Sequence, residues 1–277
     1  DNIYTPPLPG NGATAGMSGL ENISLSPANP DRIHMAGNWN PCMSYDGAKT
    51  WVESARGADI TCFHDIRHLG ETTYGAAMDE GSFATYNRGE TWKALFPLKW
   101  QAGMSGHHWR ILPQKLKDGR VRIISTVSPW AHGRDFPVKV IVSEDGGKSF
   151  TEAKGLPEYR THANTMWGEG HGRAIAADPV NPDVIYLGID GDPENGHNGG
   201  GIFKSVDGGH NWRQLPNQPG SRRMMYGLAV DPSNPNRIVW GACGAPSGVY
   251  VSEDGGESWQ KAQGLSDWIF NVEVTKK

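Results

Sequence analysis

The chain has 277 residues and a net charge of −4, with 37 Gly, 19 Pro, 11 Trp, eight Tyr and seven Phe. That length suits one large domain or two small ones, and a pI near 6.2 argues against a general nucleic-acid binder. No run approaches the roughly 20 apolar residues of a membrane helix, no basic and apolar leader opens the chain, and Cys42, Cys62 and Cys243 are too few for a disulfide scaffold.

Taken in chain order, one short motif recurs five times. It reads Ser44-Tyr-Asp46-Gly-Ala-Lys-Thr50-Trp51, then Thr85-Tyr-Asn87-Arg-Gly89-Glu-Thr91-Trp92, then Ser143-Glu-Asp145-Gly-Gly-Lys-Ser149-Phe150. The last two copies are Ser205-Val-Asp207-Gly-Gly-His-Asn211-Trp212 and Ser252-Glu-Asp254-Gly-Gly-Glu-Ser258-Trp259. Their starts lie 41, 58, 62 and 47 residues apart, near the length of a four-stranded propeller blade with insertions. Asp-Gly supplies the positive φ angles of a tight turn. The Asp carboxylate can accept N–H bonds inside that turn, and the closing aromatic buries a large ring.

A second repeat precedes three of the copies: Ser26-Pro-Ala-Asn-Pro30, Asp178-Pro-Val-Asn-Pro182 and Asp231-Pro-Ser-Asn-Pro235. Asn-Pro marks a turn between two short apolar runs. Each repeat therefore reads as strand A, Asn-Pro turn, strand B, variable loop, strand C, Asp-Gly turn, strand D. Five such units are traceable, a partial sixth strand spans Trp268 to Val274, and no long 3.6-residue period predicts a helix. The expected architecture is all-β: one propeller domain over residues 1–277, with four-stranded antiparallel blades and Asp-Gly turns. Residues 1–15 and 268–277 are candidates to close the ring as a shared blade, and a sixth blade or a larger propeller is the alternative.

The Ser-x-Asp-x-Gly-x-Thr-Trp pattern resembles the Asp-box, or bacterial neuraminidase repeat, family of β-propellers. In that family the boxes are structural and lie on the face opposite the active site. Sialidases would carry a Phe/Tyr-Arg-Ile-Pro motif, which this chain lacks. Asp178 to Tyr186 and Gly201 to Trp212 are instead similar to the xyloglucan-degrading glycoside hydrolases. That resemblance implies a catalytic Asp where strand B ends, which falls on Asp190, with Asp79 as the nearest counterpart in the second repeat. The related enzymes take one Asp from each of two fused propellers, so another domain or chain is a candidate to complete the site.

The loops expected on the ligand-facing rim mix aromatics, His, Arg and carboxylates. The loop after Asp190 is an insertion: Ser205 lies 23 residues beyond Pro182, against 17 from Pro235 to Ser252 and 14 from Pro30 to Ser44. Flat rings stack on sugars, and charged groups hydrogen-bond hydroxyls or uronates. Two carboxylates across a cleft permit glycoside hydrolysis. The catalytic candidates are Asp190, Asp79, Glu169 and His171, with Asp65 and Glu80 as further carboxylates. The substrate-binding candidates are Trp39, Trp130, His107, His108, Trp167, Arg173 and Tyr226. A general base such as His, with Tyr and Arg, would serve a uronate lyase instead, and a non-catalytic glycan- or protein-binding propeller is the third reading. No cofactor is expected, although Asp190, Asp192 and Glu194 alternate as in half a calcium loop. The expected partner is a carbohydrate polymer or oligosaccharide, not nucleic acid, and the expected location is extracellular or periplasmic.

Overall fold

The computed structural model describes residues 20–37, 41–58, 62–77, 81–95, 107–128, 138–158, 170–191 and 200–276. Five four-stranded sheets account for their regular structure, and no helix occurs among these residues. The first blade is Leu20–Ser26 (β1), Asn29–Gly37 (β2), Cys42–Ser44 (β3) and Val52–Glu53 (β4). The second is Phe63–Leu69 (β5), Thr72–Ala77 (β6), Gly81–Thr85 (β7) and Lys93–Ala94 (β8). The third is His107–Lys115 (β9), Val121–Ser128 (β10), Lys139–Ser143 (β11) and Thr151–Glu152 (β12). The fourth is Gly172–Ala177 (β13), Ile185–Ile189 (β14), Gly201–Ser205 (β15) and Arg213–Gln214 (β16). The fifth is Arg223–Asp231 (β17), Asn234–Cys243 (β18), Gly248–Ser252 (β19) and Gln260–Lys261 (β20). In every sheet each strand pairs with the next in sequence. The fourth strands have two residues each, a length that leaves little edge for unwanted pairing.

Each Asp box closes the turn between a third and a fourth strand by the same set of bonds. In the first, Asp46 Oδ1 accepts from the Lys49 and Thr50 amides at 3.0 and 2.9 Å, and Asp46 Oδ2 accepts from the Thr50 hydroxyl at 2.6 Å. The Ser44 hydroxyl donates to Asp46 Oδ1 at 2.9 Å and accepts from the Ala48 amide at 2.9 Å. Asp145, Asp207 and Asp254 repeat the pattern. In the second blade Asn87 replaces Asp, accepts from the Thr91 amide at 3.0 Å and donates to the Thr91 hydroxyl at 2.8 Å. The hydroxyl and amide of Thr50 hold the Asp46 carboxyl at about 2, and those of Ser258 do the same for Asp254.

The two sequence repeats meet in space. The residue after each Asn-Pro accepts a bond from the first residue after the box acid. The Gly47 amide donates to Asp31 O, that of Gly208 to Asp183 O, and that of Gly255 to Asn236 O, at 3.0, 3.0 and 2.9 Å. The Asn itself braces that residue: Asn29, Asn181 and Asn234 Oδ1 accept from the Asp31, Asp183 and Asn236 amides. The structure differs in one detail from the expected turn. Asn29-Pro30 and Asn234-Pro235 already lie at the start of β2 and β18, because Asn29 pairs with Ser26 and Asn234 with Asp231.

The second left-handed position of the box lies against the preceding blade. A Cβ on Gly256 would stand 2.3 Å from Leu215 Cδ1, and one on Gly89 would stand 1.6 Å from Met43 Sδ. The apolar cores lie between consecutive blades. Phe63, Ile66, Phe83 and Trp92 pack with Ala36 between the first and second. Ile111 and Ile123 pack on Tyr74 and Ala84 between the second and third. Trp240, Tyr250, Leu228 and Met225 pack on Tyr186, Ile202 and Leu215 between the fourth and fifth. Burying each large side chain contributes about 1.5–3 kcal/mol.

The described residues form two compact units, Asp1–Ser125 with Ser143–Phe150, and Thr126–Val142 with Thr151–Lys277, and the division runs through the third sheet. The expected strand at Trp268 to Val274 pairs in no ladder among the described residues, because no second strand lies along it.

In the first unit a histidine pair, His34 buried and His68 half-buried, bridges blades. His34 Nδ1 on β2 lies 2.9 Å from His68 Nε2 on β5, and Thr73 Oγ1 lies 3.0 Å from His68 Nδ1. Burial first, then His68 and Arg32, push His34 down to about 2. Burial first, then Arg32, push His68 down to about 4. Burial alone pushes His108 down to about 3. All three are neutral when folded and take up protons near 6.5 when unfolded, so the stability they lend is complete above pH 6.5 and falls as the pH drops toward 2. Urea midpoints measured from pH 7 to pH 4 should therefore decline, and His68→Gln should flatten that decline. Asp46 and Asp254, held near 2, lend stability that is complete above about pH 4 and is lost only as the pH falls below it.

Two boxes place a residue with a side chain in left-handed backbone, Ala48 at φ 69° and Arg88 at φ 62°, where the other copies have glycine. Ala48→Gly should raise the unfolding free energy by about 1 kcal/mol, read by urea denaturation.

Candidate functional site

In the second unit the end of β14 delivers Asp190 into the interior, at 1% exposure. The Asp190 amide donates to His171 O and its carbonyl accepts from the Gly170 amide, both at 2.9 Å, so the residue prolongs the β13–β14 ladder. Asp190 Oδ2 accepts from Arg173 Nε, and Asp190 Oδ1 accepts from the Met225 amide on β17 at 2.7 Å. Arg173, on β13, is fully buried. Its Nη1 donates to the Tyr226 hydroxyl at 2.6 Å, and its guanidinium carbon stands 4.9 Å from the centre of the Tyr226 ring. Tyr226 is half-buried, and its ring lies 6.2 Å from that of Phe270, which lies 6.3 Å from Trp268.

The chemistry of this cluster follows from burial. A carboxylate with both oxygens accepting bonds from a buried guanidinium and a backbone amide is a fixed counter-charge. It orients Arg173, and Arg173 orients the Tyr226 phenol at the exposed end of the chain of bonds. The same two oxygens are those a calcium ion would need from Asp190. Among the described residues no three His, Cys, Asp or Glu side chains gather to hold a metal. His171 is buried beside this ladder at 2% exposure.

In the first unit the ends of β5 and β9 gather a second polar group. His64 Nε2 lies 3.1 Å from His107 Nε2, and the His64 ring stacks on Trp109 at 4.0 Å. Arg110 Nη1 donates to His64 O at 3.0 Å. Asp65, completely buried, accepts from Arg67 Nε at 3.1 Å and, through Oδ2, from the Ile111 amide at 3.1 Å. His108 Nδ1 lies 2.7 Å from Ser82 Oγ and 2.9 Å from Ser125 Oγ. The side chains of His64, His107 and His108 are all at most 3% exposed.

Of the residues singled out from sequence, the structure thus brings together Asp190, Arg173 and Tyr226, and separately His107 with His64. Asp79, Glu80, Glu169, Trp39, Trp130, Trp167, Asp192 and Glu194 lie outside the described residues. Sequence reasoning gave His64, on the rim of the second repeat, no role, and it missed Phe270 and the equivalence of Cys243 to Asp190. A register count supplies the last of these. The box Ser205 pairs with Ile185, five residues before Asp190, and Ser252 pairs with Ile238, five before Cys243. Burial, then the Asp190 charge, push the Cys243 thiol up to about 11, and its S–H donates to Ile269 O at 3.1 Å.

Removing one partner of the buried pair leaves the other charge uncompensated. Asp190→Ala should cost about 3–5 kcal/mol of stability, measured by denaturant unfolding. Asp190→Asn retains an acceptor for the Met225 amide and should cost less.

The model of the BNR/Asp-box repeat matches residues 250–261, the fifth box and its flanking strand residues. The chain is 38% identical over 104 residues to a xyloglucanase of a Paenibacillus species, a match that covers 34% of this chain and 10% of that protein. It is 29% identical over 126 residues to a probable oligoxyloglucan-reducing end-specific xyloglucanase of Neosartorya fischeri, covering 44% of this chain and 14% of that one. Its fold is similar to the crystal structure of an ancestral GH74 enzyme, with a TM-score of 0.70 at 15% identity over 95% of this chain and 33% of that chain. The matched stretches thus amount to about a tenth to a seventh of the curated relatives' length and about a third of the solved chain. The chain carries Asp-box repeats on four-stranded blades of the β-propeller fold, and its sequence is similar to xyloglucanases over part of its length.

Proposed function

We propose that this chain is part of a secreted glycoside hydrolase that cleaves a β-glucan polymer of the xyloglucan type. The observation that carries the reading is the sequence likeness to two xyloglucanases from a bacterium and a fungus. The chemistry is hydrolysis between two carboxyl groups, one acting as acid and the other as base or nucleophile. Asp190 is buried behind Arg173, so its role in this reading is to position. It fixes Arg173, which holds the half-buried Tyr226 hydroxyl toward a sugar hydroxyl. The rings of Tyr226 and Phe270 offer apolar faces to pyranose rings beside it.

Mass spectrometry of the products from xyloglucan, other neutral β-glucans and uronate-containing polymers tests the reading. Fragments that gain one water per bond cleaved are expected from xyloglucan. Unsaturated fragments would replace hydrolysis by elimination, with His171 and Tyr226 as the proton-transfer candidates. Intact polymer across the panel would leave a binding role. Tyr226→Phe should raise KM up to about tenfold with little change in kcat, the effect of one lost hydrogen bond to bound substrate.

A further inference from the structure

His64 and His107 stand apart from the line that runs from Asp190 to Tyr226, and the hydrolysis described above gives them no role. They come from the first strands of two consecutive blades, His64 near the start of β5 and His107 at the start of β9. The chain around them is fixed at two points. Arg110 Nη1 donates to His64 O at 3.0 Å, and the Ile111 amide donates to Asp65 Oδ2 at 3.1 Å. The Trp109 ring stacks on His64 at 4.0 Å and lies 4.7 Å from His107, so one indole backs both imidazoles. Rings held in this way by packing and by neighbouring hydrogen bonds are preorganised for a ligand.

The facing atoms are both Nε2, 3.1 Å apart. Two imidazole nitrogens at about 2.0–2.1 Å from one zinc ion stand about 3.3 Å apart at the tetrahedral angle. The ring centres are 4.9 Å apart and the planes are inclined by 40°, closer than rings meeting head-on through these nitrogens would be. The contact is therefore bent, which weakens an N–H···N bond and suits two lone pairs directed at one ion. Imidazole favours zinc, copper and nickel, whereas calcium and magnesium need oxygen donors. The adjacent carboxylate, Asp65, is turned to Arg67 and the Ile111 amide. The other histidines of this unit have different surroundings. His108 lies between the Ser82 and Ser125 hydroxyls, and the charge of Arg32 acts on both His34 and His68 and opposes a cation there.

We propose that His64 Nε2 and His107 Nε2 together hold one divalent transition-metal ion of the zinc class, which joins the second blade to the third. The ion displaces the single proton that the two nitrogens can share. No third His, Cys, Asp or Glu side chain gathers at the pair among the described residues, so water completes the coordination. The inference does not depend on the glycoside hydrolase reading.

Zinc titrated into the chelator-stripped chain tests it, with affinity read by calorimetry and the ring nitrogens of the histidines read by NMR. The first equivalent should shift Nε2 of both His64 and His107, and excess calcium should not compete. His64→Gln and His107→Gln should each weaken this binding by about tenfold or more, whereas His68→Gln should leave it unchanged. The nitrogen spectra of the unaltered chain decide the matter even where a variant fails to fold. No binding, a shift confined to one of the two rings or to other histidines, or an affinity retained by both folded variants would overturn the proposal.

Discussion

The approach of each blade's first strand to the second strand of the blade before it is the constraint on which the rest of the structure depends. It requires a very small residue at one register position, and Gly188, Gly241, Ala76 and Ala36 occupy that position in four blades. Where the approach has been made, backbone atoms lie about 3 Å from where a Cβ would stand at Gly188 and Gly241, closer than packed side chains permit. The apolar cores then fall between blades, not within them. Trp240 of the fifth blade packs with Tyr186 and Leu215 of the fourth, and Trp92 of the second lies beside Ala36 of the first.

The box turns act at the other end of the same strands. Their carboxylates bind amides and hydroxyls within the turn, and the amide following each acid grips the turn between first and second strands. A blade is thus pinned along one rim by local hydrogen bonds and pressed against its neighbour along its length. The boxes are exposed and internally satisfied, which leaves their carboxylates occupied by the fold and not by substrate chemistry.

Buried polar groups mark where strands end and function is proposed. Asp190 crosses from the fourth blade to the amide of Met225 in the fifth, and Asp65 crosses from the second to the amide of Ile111 in the third. Both carboxylates also hold an arginine. The consequence for Asp190 is a fixed line of charge and dipole from the carboxylate through Arg173 to the Tyr226 hydroxyl. Only the last member of that line reaches the surface.

Blade order, the four strands of each of the five blades and the box turns are legible in the sequence. Asp-Gly and Asn-Pro act through bonds to residues within four positions, and local chemistry of that kind is visible at a fixed spacing. The sequence also placed Asp190, Arg173 and Tyr226 on candidate loops and strand ends. Only the folded arrangement brings them into contact. Whether a carboxylate faces solvent or a guanidinium 17 residues away depends on how β13 and β17 flank β14, and no periodicity encodes that. The pairing of His64 with His107, 43 residues apart, and the seating of Ile269 against Gly241 are likewise products of blade-on-blade packing. Such contacts join positions whose separation varies with every inserted loop, so a repeat can announce the blades but not the side chains that meet between them.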